Sequence, residues 1–188
     1  MSIRKKILAI SIGPVLVLGV ITLLFMLTMV KSSLMDEVQD ALKGTAAATL
    51  AAYDQNTGDY LESTNGDIWK GSYNISKSES LVDRIKENTG MDVTFFYGNK
   101  RIMTSALDKK GNRVVNQVIK GKKPFFSTNV SLDGTRNYGY FIPVYQNGTT
   151  DQIIGMVFVG TDKKLKDAVV NKILGSIILA VCIVMLIC

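Results

Sequence analysis

The chain has 188 residues, 47% of them hydrophobic, and a formal net charge of +6, so it can hold one ordinary domain together with membrane segments. It has no histidine, and both cysteines, Cys182 and Cys188, lie in the apolar C-terminal block. This composition excludes a disulfide framework in the middle of the chain, Cys- or His-based metal sites and histidine-dependent nucleophiles. We therefore expect no catalytic residues, metal or cofactor. We also expect no nucleic-acid binding, because no stripe of arginine and aromatic residues is present.

The first predicted element is a transmembrane helix. Residues 7–30 carry no charge, and a helix of that length crosses a hydrocarbon core of about 30 Å. Basic residues at positions 4–6 precede it, where the positive-inside rule places cytoplasmic charge. A cleaved signal peptide would have a shorter apolar region and a small-residue cleavage site. We predict a cytoplasmic segment at 1–6 and the first transmembrane helix at 7–30.

The C-terminal residues 173–188 form a second apolar block. A helix of that length spans about 24 Å, which is less than the hydrocarbon core. We predict a second transmembrane helix at 173–188 that is cut short, with its helix starting near Asp162. Cytoplasmic signalling partners would then act through a part beyond it. Residues 31–172 become an extracytoplasmic domain, held to the lipid of the cell membrane in a two-pass topology.

Helical periodicity predicts two helices at the start of this domain. Residues 33–53 continue the first transmembrane helix, and their small apolar positions favour packing against a sheet or a second copy in a homodimer. These positions are Leu34, Val38, Ala41, Leu42, Thr45, Ala48, Thr49 and Ala52. Residues 54–76 are rich in Gly, Asn, Asp and Ser, which predicts a loop with a short hairpin. Ser76 and Glu79 form a capping-box pattern for a second helix that ends at Gly90.

After Gly90 the hydrophobic period changes to two, which predicts strands. The predicted strands are residues 93–97, 101–105, 125–132, 136–145 and 153–161, with a short helix at 114–120. Turns are predicted at Gly98, Asp133-Gly134 and Asn147-Gly148. Helices combined with five strands, mostly linked by hairpins, predict an α+β domain built on one antiparallel sheet.

Four segments together resemble the single Cache sensor domain of bacterial methyl-accepting chemotaxis receptors. They are TGMDVTFFYG at 89–98, RIMTS at 101–105, GYFIPVY at 139–145 and IIGMVFVG at 153–160. The resemblance covers essentially the whole chain. It implies a PAS-like antiparallel five-stranded sheet with a long N-terminal helix, flanked by two transmembrane helices, whose concave face binds a small ligand. The main hypothesis is the input portion of a chemoreceptor; the alternative is that of a sensor histidine kinase or diguanylate cyclase.

Arg101 is the first candidate ligand residue. We expect it to open a central strand, where its guanidinium can hold a carboxylate in bidentate fashion, so a carboxylate or amino acid is the favoured ligand. The other interpretation is a solvated hairpin charge beside Lys100. Strict alternation places Ser105 on the face of Arg101, whereas Thr104 reaches that face only if the strand contains a bulge.

Four aromatic residues are candidate pocket walls: Phe95, Tyr97, Tyr138 and Tyr140. Core packing is the alternative role for each. Two other classes stay open, an anchored extracytoplasmic enzyme and an adhesion module. So do urea, purine and sugar ligands, and binding through a carrier protein. Because residues 153–161 lead directly into the last helix, we expect ligand binding to displace that helix through the strand.

Overall fold

The computed structural model describes residues 3–106, 123–132 and 135–187. Its helices are α1 (Ile3–Asp54), α2 (Glu79–Thr89) and α3 (Lys163–Ile187), with a 3-10 helix at Ile75–Lys77. Its strands are β1 (Tyr60–Glu62), β2 (Ile68–Lys70), β3 (Tyr73–Asn74), β4 (Asp92–Tyr97), β5 (Lys100–Thr104), β6 (Phe125–Leu132), β7 (Thr135–Tyr145) and β8 (Ile153–Asp162). The helix predicted at 114–120 and the turn predicted at Asp133-Gly134 lie outside the described residues.

The described chain divides into two compact units. One contains the residues up to Glu37 together with those from Leu165 onward, and the other contains Val38–Lys164. In the first unit, α1 and α3 are long and apolar enough to cross a membrane, with mean hydropathy of 2.4 and 2.0 in their most apolar windows. Large apolar side chains such as Phe25 and Leu179 are exposed there, an arrangement that is unfavourable in water but not in lipid. The start of α3 at Lys163 agrees with the predicted start near Asp162.

In the second unit, α1 packs against the rest of the domain along one stripe. Its fully buried side chains are Leu42, Ala46, Thr49 and Tyr53. They recur at intervals of four, three and four residues, which is the spacing of one helical face. The predicted continuous helix is confirmed, but the predicted face is rotated, because Ala41 and Ala48 are exposed.

The predicted end of α2 is confirmed, whereas its predicted start is wrong. Gly90 ends the helix in the left-handed conformation with φ 68°, and its N–H donates to the carbonyl of Lys86. The residue at the N-terminal cap is Ser78, and it makes no side-chain cap hydrogen bond. Ser76, predicted to cap the helix, accepts the backbone N–H of Ile68 at 2.8 Å. The hydroxyl groups are thus used in tertiary contacts, which a local capping pattern does not reveal.

The predicted loop at 54–76 contains a small antiparallel sheet in the order β1-β2-β3. Tyr60 and Ile68 are almost completely buried and anchor it to the domain. The expected hairpin is therefore present, but a third strand accompanies it. Polar turn residues separate these very short strands, so their periodicity is hard to detect.

The main sheet has five antiparallel strands in the order β5-β4-β8-β7-β6. The β7–β8 ladder is continuous from Asn137–Asp162 to Val144–Gly155, with an irregularity before Tyr145 pairs with Ile153. Strand β8 lies at the centre, and its residues from Gly155 to Thr161 are buried. The predicted α+β class, the five-stranded PAS-like sheet and the long N-terminal helix are confirmed.

Cross-strand partners share a face of a sheet, so the strand pairing assigns each side chain to one of two faces. The helix face packs against α1 and the small sheet; the Phe95 ring lies 5.2 Å from Tyr53 and 6.0 Å from Tyr60 between ring centroids. The helix face comprises Val93, Phe95, Tyr97, Met103, Tyr138, Tyr140, Val157 and Val159. The opposite face, called the arginine face here, comprises Thr94, Phe96, Arg101, Thr104, Gly139, Phe141, Met156, Phe158 and Gly160.

Candidate functional site

Arg101 lies on β5, which is an edge strand of the sheet and not the predicted central strand. Phe95 pairs with Met103 and Phe96 pairs with Arg101, so Ile102 is the additional residue of a β-bulge. The bulge turns Arg101 onto the arginine face. There its guanidinium nitrogens are buried, and its central carbon lies 5.7 Å from the centroid of the Phe96 ring.

The same bulge determines which hydroxyl group accompanies Arg101. Thr104 pairs with Thr94 across the strands, and their hydroxyl oxygens are 2.7 Å apart. Thr94 and Phe96 are alternate residues of β4, so the two threonines lie on the arginine face about 7 Å along the strand from the Arg101–Phe96 pair. The structure therefore places Arg101 and Thr104 on the same face, which the sequence predicted only for a strand that contains a bulge.

Ser105, which strict alternation selected, has a different environment. Its hydroxyl accepts the backbone N–H of Val93 at 2.8 Å and donates to Asp92 Oδ1 at 3.2 Å. Lys86 of α2 pairs with the same Asp92 oxygen at 2.7 Å and donates to the Ser105 carbonyl at 3.0 Å. Ser105 thus belongs to a polar cluster that fastens α2 to the end of β4.

The four predicted wall aromatics lie on the helix face, away from Arg101. Phe95 is fully buried against Tyr53 and Tyr60. The Tyr138 ring stacks on Phe126 at 6.1 Å, Tyr140 is buried and Tyr97 is half-buried. The structure does not bring these residues together with Arg101, since they have the opposite parity along β4 and β7.

Three other aromatic residues form the floor of the arginine face: Phe96, Phe141 and Phe158. The Phe141 ring centroid lies 4.8 Å from that of Phe158. The Phe158 ring in turn covers the cross-strand pair Gly139–Gly160; a Cβ added to either glycine would come within 2.6 Å of a ring carbon. Sequence reasoning missed these aromatics. The available signal was the uninterrupted run of uncharged residues 93–97, which is typical of a strand buried on both faces.

Two buried tyrosines on the helix side stay protonated at neutral pH. Burial raises the pKa of Tyr53 to about 12, although its hydrogen bond with Ser78 opposes the shift. Burial and a hydrogen bond to Asp54 raise the pKa of Tyr60 above its ordinary value. Both phenols are therefore neutral hydrogen-bonding groups, whereas Arg101 is a cationic group on the arginine face.

The arrangement on the arginine face fits small-molecule recognition. A buried guanidinium provides paired N–H donors for an anionic group, two threonine hydroxyls lie on the same face, and an aromatic floor excludes water. Binding sites for small molecules commonly combine an apolar lining with a few such polar groups.

The family model described as "Single cache domain 3" matches residues 73–173, which is more than half of the 188 residues. The chain belongs to the single Cache domain 3 family. The matched part of the Cache domain contains α2, every strand of the main sheet and the start of α3. The resemblance to single Cache sensor domains is thereby confirmed. No curated protein matches the chain significantly.

Three solved structures align with this chain, and the first of them, with a TM-score of 0.50, shares its fold. An extracellular ligand binding receptor from Desulfohalobium retbaense DSM5692 aligns with a TM-score of 0.50 and 16% identity over 76% of this chain and 25% of that one. The E. coli DcuS sensor domain aligns with a TM-score of 0.44 and 13% identity over 76% and 98% of the two chains. The ligand binding domain of the Pseudomonas aeruginosa PAO1 amino acid chemoreceptor PctC, in complex with GABA, aligns with a TM-score of 0.46 and 12% identity over 76% of this chain and 63% of that one. The chain thus spans about a quarter of the first of these structures.

Proposed function

We propose that this chain is the sensing portion of a two-pass membrane protein, and that its Cache domain binds a small carboxylate on the arginine face without chemical turnover. The observation that carries the proposal is the buried guanidinium of Arg101 beside an aromatic floor. Charge-assisted, bidentate pairing of arginine with a carboxylate is both strong and geometrically specific. Carboxylic acids and amino acids are therefore the favoured ligands.

The threonine pair supplies a second contact for the ligand. Thr104 Oγ1 accepts the N–H of Ala106 at 3.0 Å and is hydrogen-bonded to Thr94 Oγ1. Whichever of the two hydroxyls donates to the other, the second keeps its own hydrogen, because each hydroxyl group has one hydrogen to donate. That hydrogen can be donated to a ligand oxygen, which supports an oxygen-rich ligand.

We propose that both apolar helices cross the cell membrane, with the N-terminus in the cytoplasm and the Cache domain outside. The support is the length and hydropathy of α1 and α3 together with the basic residues before position 7, which the positive-inside rule assigns to the cytoplasm. Chemotaxis is the output we favour, with a histidine kinase or diguanylate cyclase as the alternative. The sequence resemblance alone supports that choice.

The path for a signal is the junction between β8 and α3. Asp162 ends the strand and Lys163 begins the helix, while Asp162 Oδ1 accepts the N–H of Lys164 at 2.7 Å as a helix cap. Lys163 Nζ also donates to the Thr128 carbonyl at 3.0 Å and lies 5.1 Å from the Tyr138 ring centroid. A ligand that favours one position of β8 would displace α3, and coupling energies of about 1–3 kcal/mol suffice for such a signal.

We also propose that the receptor is a homodimer. The exposed side of α1 in the domain carries Gly44, Ala47, Ala48 and Ala51. Small side chains let two helices approach closely, which supports contact between the α1 helices of two copies.

A thermal-unfolding screen of the full chain in lipid nanodiscs tests the proposed function. The screen uses carboxylic acids and amino acids, each paired with its neutral amide or alcohol. A ligand that binds only the folded state must raise the unfolding temperature, so we expect shifts from carboxylates and none from their neutral partners. Arg101→Gln should strongly reduce the shift, whereas Arg84→Gln, at an exposed arginine of α2, should keep it. Equal shifts in both variants would contradict the proposal.

A further inference from the structure

A cavity of about 300 Å³ lies beside the C-terminal end of α1. Its lining consists of Leu50 and Asp54 of α1, Lys70 of β2 and residues 145–149 between β7 and β8. None of these residues is among those that define the arginine face. The volume lies at the lower end of the range of small-molecule sites in proteins, about 300–1,000 Å³, so the cavity can hold a compact ligand.

Lys70 is the cationic residue in the lining of this cavity, and its side chain is only 3% exposed. Its ammonium lies 3.6 Å from Asp54 Oδ1 and 4.3 Å from the centroid of the Tyr60 ring. Both distances are longer than a normal hydrogen bond, so neither contact is a well-formed one. A buried ammonium has three N–H donors that need acceptors, so Lys70 favours a ligand with an accepting oxygen.

Gln146 presents the complementary group. Its Nε2 lies 3.5 Å from the backbone carbonyl oxygen of Tyr60, a long hydrogen bond, and because that carbonyl can only accept, this orientation of the amide is the favoured one. The other amide atom, Oε1, is buried and has no hydrogen-bond partner among the described residues. Thr149 fixes the turn, since its N–H and its hydroxyl both donate to the Gln146 carbonyl, at 3.0 and 2.8 Å. Gln146 thus holds an unsatisfied acceptor beside the cavity.

The balance of charge selects the class of ligand. Lys70 and Asp54 neutralise each other, and Asp54 Oδ1 already accepts the Tyr60 hydroxyl at 2.7 Å. An anion or a zwitterion would have to compete with that pair. A hydroxyl group both donates and accepts, so one neutral polyol satisfies Lys70 and Gln146 without separating the existing charges.

We propose that this cavity is a second binding site, separate from the arginine face, for a neutral polyhydroxy compound of monosaccharide size. Lys70 donates to one hydroxyl oxygen of the ligand, and Gln146 Oε1 accepts the hydrogen of another hydroxyl. Asn147 and Thr149 at the rim are able to contact further hydroxyls.

The test is saturation-transfer NMR and titration of the full chain in nanodiscs with D-glucose, D-ribose and other pentoses and hexoses. Glycine serves as the zwitterionic probe and acetate as the anionic probe. We expect a monosaccharide to bind, Lys70→Met to weaken it by about tenfold or more, and Gln146→Met by about two- to tenfold. The matched controls, Lys77→Met at a side chain 72% exposed and Gln152→Met at an exposed position, should leave the affinity unchanged.

Arg101→Gln should also leave monosaccharide binding unchanged, which separates this site from the one on the arginine face. If Lys70→Met fails to fold, Gln146→Met decides the question, because Oε1 contributes no internal hydrogen bond to the described domain. The proposal is overturned if no monosaccharide binds or if only glycine or acetate binds. It is also overturned if the folded cavity variants, Lys70→Met and Gln146→Met, bind the monosaccharide as tightly as the parent chain.

Discussion

Replacing Gly160 with alanine should destabilise the Cache domain by overfilling the floor of the arginine face. The added Cβ would lie 2.5 Å from Phe158 Cζ and 3.0 Å from Cε1, well inside the 3.5–4.0 Å separation of carbon atoms in contact. The centroid of the Phe141 ring lies 4.8 Å from that of Phe158, which limits the directions in which the Phe158 ring can retreat. Overpacking of this kind costs about 1–3 kcal/mol, which lowers the unfolding temperature by several degrees in a domain of this size.

Thermal unfolding of the full chain in nanodiscs measures the effect of Gly160→Ala. Gly175→Ala is the matched control, since no described atom beyond the local backbone of α3 lies within 4 Å of the added Cβ, and alanine should not destabilise that helix. Adding Phe158→Leu to Gly160→Ala should cost less than the sum of the two single changes, because they share one contact. If Gly160→Ala is as stable as the parent, the ring does not cover the glycine pair and the described floor is wrong.

Three further predictions concern coupling, titration and assembly. Two glycines inserted after Asp162 should preserve ligand binding but uncouple it from α3. A fluorophore on Cys182, with the other cysteine replaced, should then lose its ligand-dependent signal; a preserved signal would exclude rigid coupling. The free energy of unfolding should fall as the pH rises from 10 to 12. Tyr53 contributes up to about 3 kcal/mol of this loss, because its phenol keeps its proton in the folded state, where its pKa is about 12, and loses it in the unfolded state. Tyr53→Phe should make the fall shallower in urea unfolding, and an unchanged slope would contradict the assignment. Cysteine cross-linking between copies should be strong at exposed Ala48 and weak at buried Ala46, whereas equal yields would argue against an α1 dimer contact.

Local sequence signals predicted most of the domain's elements. The change of hydrophobic period after Gly90 indicates where helix gives way to strand, and Gly98 and Asn147-Gly148 mark hairpins that the structure contains. These features depend on residues close together in the chain. The capping-box prediction failed because the Ser76 hydroxyl accepts the N–H of Ile68 in strand β2, a contact outside the local capping pattern.

The arrangement of the candidate site could not be predicted in the same way. One additional residue, Ile102, reverses the parity of β5 and selects Thr104 in place of Ser105 as the neighbour of Arg101. The position of β5 at the sheet edge depends on its pairing partners, which alternation does not contain. The floor aromatics were missed because β4 and β8 are buried on both faces, so their residues do not alternate between apolar and polar.

The central claim is that Arg101 binds a carboxylate, and calorimetric titration of the most stabilising carboxylate from the screen tests it most directly. Loss of a hydrogen bond to a charged group costs about 1.5–3 kcal/mol, so Arg101→Gln should raise the Kd by about 10- to 100-fold. Arg101→Lys should give an intermediate Kd, because lysine keeps the charge but not the planar pair of donors. The same Kd for the parent, Arg101→Lys and Arg101→Gln would show that the ligand does not bind at the arginine face.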